Sequence, residues 1–139
     1  MEWREFDNPE QEKARLEKVL SVNPKDAGVW YELATVHDDM GDGAKAVECC
    51  RKALEIEPDN ALFWAFLFYL EHRVNDKEAF DALVRFIELD PDEGDYYTER
   101  VIDELAFGDN EFTINYIADL RKEGKEDVAH TIERWIWNP

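Results

Sequence analysis

Residues 27–58 read AGVWYELATVHDDMGDGAKAVECCRKALEIEP, and the proline that closes them is one of three in a series. Ser21-Val22-Asn23-Pro24, Glu55-Ile56-Glu57-Pro58 and Glu88-Leu89-Asp90-Pro91 end alike, and their prolines lie 34 and then 33 residues apart. Proline cannot continue a helix and drives the residue before it out of the helical region. Each is therefore a stop set at a fixed period, and self-similarity at such a period marks stacked helical units.

Each unit divides near its middle. Met40-Gly41-Asp42-Gly43 interrupts the first, and Val74-Asn75-Asp76 interrupts the second. Glycine or asparagine suits a helix end and aspartate the next helix start. The apolar spacing on either side is helical. Trp30, Leu33, Ala34 and His37 fall at i, i+3, i+4 and i+7. Ala46, Cys49, Cys50, Ala53 and Leu54, then Ala79, Ala82, Leu83, Phe86 and Ile87, repeat the pattern. No alternation of apolar and polar residues predicts a strand, and each unit reads as two antiparallel helices.

The units resemble the tetratricopeptide repeat family. Its pattern asks for Trp, Leu, a small residue and an aromatic on the first helix, then Ala, an aromatic, Ala and Pro on the second. Residues 27–60 supply Trp30, Leu33, Ala34, His37, Ala46, Cys50, Ala53 and Pro58. Residues 61–91 supply Trp64, Leu67, Phe68, Glu71, Ala79, Leu83, Phe86 and Pro91, with Phe68 and Phe86 bulky where close packing asks for small side chains, so wider helix separation is expected there. The second unit also resembles the half-TPR repeat of RNA-processing scaffolds through Trp64, Leu70, Glu71 and Arg85. Residues 9–22, opened by Asn8-Pro9, look like the second helix of a partial repeat. Helices are expected near 94–107, 110–122 and 125–137, broken at Gly108 and Gly124, as a degenerate repeat with capping helices over 92–139 that ends on a late Pro139. The resemblance implies one all-α domain over 1–139, a short right-handed solenoid of antiparallel helix pairs with about eight helices.

Composition narrows the function classes. The chain has 139 residues, 34 acids against 16 Lys and Arg, and a formal charge of −18. Nucleic-acid binding draws on basic side chains to neutralise phosphates, and anionic membranes repel such a chain, so neither partner is expected. Met1-Glu2-Trp3-Arg4-Glu5 is not the charged-then-apolar opening of a leader, and a cytoplasmic protein is expected. The acids concentrate in residues 90–111, with nine against the single base Arg100. This run reads as a solvated face, or as a docking surface for a basic partner.

No arrangement of chemical side chains predicts an enzyme, a cofactor or a metal. His37, His72 and His130 are far apart, and His37 stands at a core position, where a packed histidine with a hydrogen-bonded ring is expected. Around His37-Asp38-Asp39 and Asp42 a calcium loop would need a ligand where Met40 stands. From Asp90 the closing acid would fall at Val101. Neighbours on a helix point about 100° apart, so Cys49-Cys50 is no redox pair, and Cys50 takes a core position.

Binding is the expectation. In the family the second, fifth, sixth and ninth residues of each first helix line the concave groove. By resemblance these are Gly28, Tyr31, Glu32 and Thr35, then Leu62, Ala65, Phe66 and Tyr69. Residues 61–70, Ala-Leu-Phe-Trp-Ala-Phe-Leu-Phe-Tyr-Leu, have no polar face, and a helix apolar all round must be covered all round. Leu62, Phe66 and Tyr69 would otherwise face water, which marks an interface. Alternatively the C-terminal helices fold back and Phe66 and Tyr69 are plain core. Some family members hold acidic chaperone tails with a clamp of Lys, Asn and Arg. Tyr31 and Thr35 occupy the corresponding positions of the first unit, and Phe66 is apolar at a related one, so that activity is not expected. The resemblance and the acids Glu32, Asp38 and Asp39 together predict a protein or peptide partner with apolar anchors and a basic or neutral surround, bound at Tyr31, Thr35, Leu62, Phe66 and Tyr69. The second reading is a homodimer joined through the aromatic C-terminal end, Ile132, Trp135, Ile136 and Trp137, where Val128, Ile132, Trp135 and Ile136 share a stripe and Trp137 lies off it.

Overall fold

The computed structural model describes residues 8–72, 74–90 and 111–137, the last of these, Trp137, by its backbone alone. Among them are seven α-helices and no strand: α1 (Pro9–Val22), α2 (Ala27–Asp39), α3 (Gly43–Ile56), α4 (Ala61–Glu71), α5 (Asp76–Leu89), α6 (Glu111–Lys122) and α7 (Glu126–Trp137). The expected pairs are present, with breaks at Met40–Asp42 and around Asn75. The expected helix near 94–107, most of the acidic run at 90–111, Pro91, Gly108 and Pro139 lie outside the described residues.

The helix starts are written in the sequence. An N-cap side chain satisfies one of the backbone N–H groups that a first turn leaves unpaired. Asn8 accepts from the Gln11 amide at 2.8 Å with Pro9 at the first helical position, Asp26 from Val29 at 3.2 Å, Asp42 from Lys45 at 3.1 Å and Asn75 from Glu78 at 3.1 Å. At Gly41 (φ 80°) and Gly124 (φ 84°) the backbone takes the left-handed conformation that closes α2 and α6. The Asp42 and Lys125 amides then reach back to the carbonyls of His37 and Leu120 at 2.8 and 2.9 Å. Asp42→Ala is expected to cost about 1 kcal/mol, read as a lower urea midpoint with early amide exchange in the first turn of α3.

The chain forms two compact units, divided between Phe63 and Trp64. In the first, α2 packs along α3 and α1 along α2. Ala34, Ala46, Cys50 and Ala53 are fully buried, and such small side chains are what lets helix backbones approach closely. Leu16, Leu20, Leu33, Leu54 and Phe63 fill the remaining core. Trp30 is half-buried, with its indole N–H donating to the Pro24 carbonyl at 2.8 Å, so the tryptophan ties the repeat to its preceding stop.

In the second unit the core is aromatic. Phe80 on α5 meets Phe68 of α4 edge-on at 6.3 Å and the Phe112 and Tyr116 rings of α6 at 5.5 and 5.1 Å. Phe86 lies against Trp135 of α7 at 6.4 Å. Phe68 and Phe86, noted above as bulky, are both buried. Trp64 is half-buried beneath the Arg85 guanidinium, 5.6 Å from the ring centre. Val128, Ile132 and Ile136 of the α7 stripe are buried within this unit, with Trp135 half-buried beside them.

Candidate interaction surface

Three of the five predicted contact residues, Tyr31, Thr35 and Leu62, belong to the first unit. Tyr31 and Thr35 are one turn apart on α2 and half-buried. The Tyr31 ring stacks on Phe63 at 5.2 Å with 24° between planes, which holds it rigid. Leu62, beside Phe63 at the start of α4, is 39 % exposed. Thr35 donates its hydroxyl to the Glu32 carbonyl at 2.7 Å, so that polar group is already satisfied within the helix. Glu32 and Asp39 are exposed and Asp38 half-buried, so carboxylates stand on the same helix as this apolar surface.

Phe66 and Tyr69 belong to the second unit. Phe66 is 1 % exposed, which corrects the expectation that it faces water; its alternative reading as core describes its burial. Tyr69 is half-buried and stacks on Phe66 at 5.9 Å and 14°. The ten-residue apolar run is thus covered along nearly all its length, and Leu62 is its most exposed member.

The candidate chemical groups are held as core. Cys50 is fully buried and its thiol donates to the Phe63 carbonyl at 3.3 Å. Burial, and after it the Glu48 carboxylate, push the Cys49 thiol up to about 11, so it stays protonated and poorly nucleophilic at neutral pH. His37 is buried, as its core position predicts, and its Nδ1 has no hydrogen-bond partner among the described residues. Among the described residues no three His, Cys, Asp or Glu side chains gather as metal ligands, and no helix is long and apolar enough to cross a membrane.

One polar cluster escaped the sequence reading. Tyr116 on α6 donates its hydroxyl to Asp81 on α5 at 2.5 Å, and Lys77 pairs with the other carboxylate oxygen at 2.9 Å. Lys77 and Asp81 are one turn apart and legible as a helical pair, whereas Tyr116 is 35 residues away. Burial raises the Asp81 carboxyl, but the Tyr116 hydrogen bond and Lys77 outweigh it and hold the group below its ordinary value. Burial, and then Asp81, push the Tyr116 hydroxyl upward, so it remains a donor. Because the folded-state value of Asp81 is depressed, its contribution is present above the unfolded-state value, roughly pH 4, and is lost as pH falls through the folded one. Tyr116→Phe is expected to remove about 1 kcal/mol at neutral pH and much less at pH 2. Urea midpoints measured across pH 2–7 check both.

The sequence profile of the tetratricopeptide repeat family matches residues 27–60, the span of α2 and α3. Over 77 residues the chain is 30 % identical to an N-terminal acetyltransferase A complex subunit-like protein of Schizosaccharomyces pombe. That stretch is 55 % of this chain and 11 % of the yeast protein, so the chain spans about a tenth of the length of that relative. The proline-spaced helix pair, its buried small residues and the profile agree that residues 27–60 form a tetratricopeptide repeat.

Proposed function

We propose that the chain is a non-catalytic protein–protein interaction module that takes an extended or helical segment of a partner. The observation that carries this reading is the surface of Tyr31, Thr35 and Leu62. An aromatic ring fixed by stacking sits in a repeat whose family serves protein–protein interaction, and an exposed leucine follows that repeat at the start of α4. Rigid aromatic side chains give contact area at low entropic cost, and they dominate the energetics of interfaces. Tyr69, backed by Phe66, supplies the corresponding surface of the second unit. The carboxylates of Glu32, Asp38 and Asp39 favour a partner whose apolar anchors have basic or neutral flanks. This reading needs no cofactor, nucleic acid or membrane, and it places the chain in the cytoplasm. The relative's description as a subunit-like protein of a complex is in keeping with it. Self-association through α7 is less favoured, because the apolar stripe of that helix is already buried within its own unit.

Selection of random peptides displayed on phage against the intact chain tests the reading. Enrichment of large apolar or aromatic residues flanked by Lys, Arg or neutral residues is expected. Enrichment of acidic peptides, or none, would contradict it.

A further inference from the structure

A groove of about 470 Å³ lies between α5 and α6, wholly within the second unit. Val84 and Leu120, each 4 % exposed, form its floor. The half-buried rings of Phe112 and Tyr116, 5.9 Å apart, form a wall. We propose that this groove is a second recognition surface, separate from the one on α2 and α4, which takes one apolar side chain of a basic partner segment.

The apolar floor and aromatic wall call for an aliphatic or aromatic anchor, and the polar groups stand at the rim, as in a pocket that buries one side chain and orients it from its edge. The sign of the flanking charge follows from which rim charges are already met. Each cation is engaged within the protein. Lys77 pairs with Asp81 at 2.9 Å, Lys125 with Glu88 at 3.7 Å, and Arg85 with Glu88 at 3.3 Å while lying over Trp64. Asp81 is met by Tyr116 and Lys77. Asp119 and Glu123 remain: both exposed, both lining the groove, and neither ion-paired among the described residues. Asp119 on α6 and Glu123, in the turn that follows it, are four residues apart, the Glu123 amide bonded to the Asp119 carbonyl at 3.0 Å, close enough to receive two cations of one segment. Asn115, a turn earlier on the same face, offers an amide to a partner backbone. The chain's charge of −18 draws a basic segment toward this mouth and repels an acidic one.

Titration of the isotope-labelled full chain with a short amidated peptide, one leucine flanked by lysines, tests the proposal by amide chemical shifts. Shifts are expected at Val84, Asn115, Asp119 and Glu123. Replacing the leucine by glycine should weaken binding about tenfold, and replacing the lysines by glutamates should abolish it. The double variant Asp119→Lys with Glu123→Lys, both on exposed positions, should keep its circular dichroism and bind the lysine peptide about tenfold more weakly. The neutral pair Asp119→Asn with Glu123→Gln should fall between. Equal affinity of the reversed variant, equal binding of the glutamate peptide, or shifts confined to other residues would each overturn the proposal. None of these outcomes bears on the α2 surface.

Discussion

Phe80→Ala is expected to destabilise the second unit by about 3–5 kcal/mol, the largest single effect we predict. Phe80 is 1 % exposed and touches rings from α4 and α6, so its removal leaves a cavity walled by Phe68, Phe112 and Tyr116. Phe68 sits on α4 and Phe112 and Tyr116 on α6, so the walls cannot collapse together without moving backbone, which is the condition for the high end of the range. Urea unfolding with amide exchange of α5 measures it. The control is Ile114→Ala on α6, where the side chain is 55 % exposed and the change should stay within about 0.5 kcal/mol. A loss below 1 kcal/mol at Phe80 would mean that α4, α5 and α6 do not meet at this residue.

The second large effect belongs to the first unit. Ala34 is fully buried within the repeat, and Ala34→Leu adds three carbons where no space exists. Overpacking of this kind costs about 1–3 kcal/mol, and the exchange protection of α2 and α3 should fall together because the two helices share that contact. A neutral result would show that the small residue is not there for close approach. That would remove the physical meaning of the match at residues 27–60.

What could be read in advance follows from how far each feature reaches along the chain. Prolines at a fixed spacing, Asn and Asp caps, and glycines with positive φ act within a few residues, and they placed the helix boundaries nearly to the residue. The core positions of α2 and α3 were legible for the same reason, since a 3.6-residue period and short loops leave one way to pair them. Burial inside an all-apolar helix was not legible. Residues 61–70 carry no periodicity, so nothing local separates Leu62, which is exposed, from Phe66, which is not. That distinction is made by what packs on each residue, and it is non-local. The hydrogen bond from Tyr116 to Asp81 and the rim charges of the α5–α6 groove are non-local too, joining helices from opposite sides of residues 91–110. His37 shows a subtler limit: its position announced a packed ring, but no local signal said that Nδ1 would have no partner among the described residues.

The account rests most heavily on the surface of Tyr31 and Leu62 as a recognition site. Its most direct test is calorimetric titration of a peptide selected on the intact chain into the wild type, Tyr31→Ala and Leu62→Lys, with circular dichroism to show that each variant is folded. The account predicts that both substitutions weaken binding at least about tenfold, or roughly 1.4 kcal/mol, with Leu62→Lys the more damaging because it sets a cation against basic flanks. Unchanged affinity in both folded variants would contradict it.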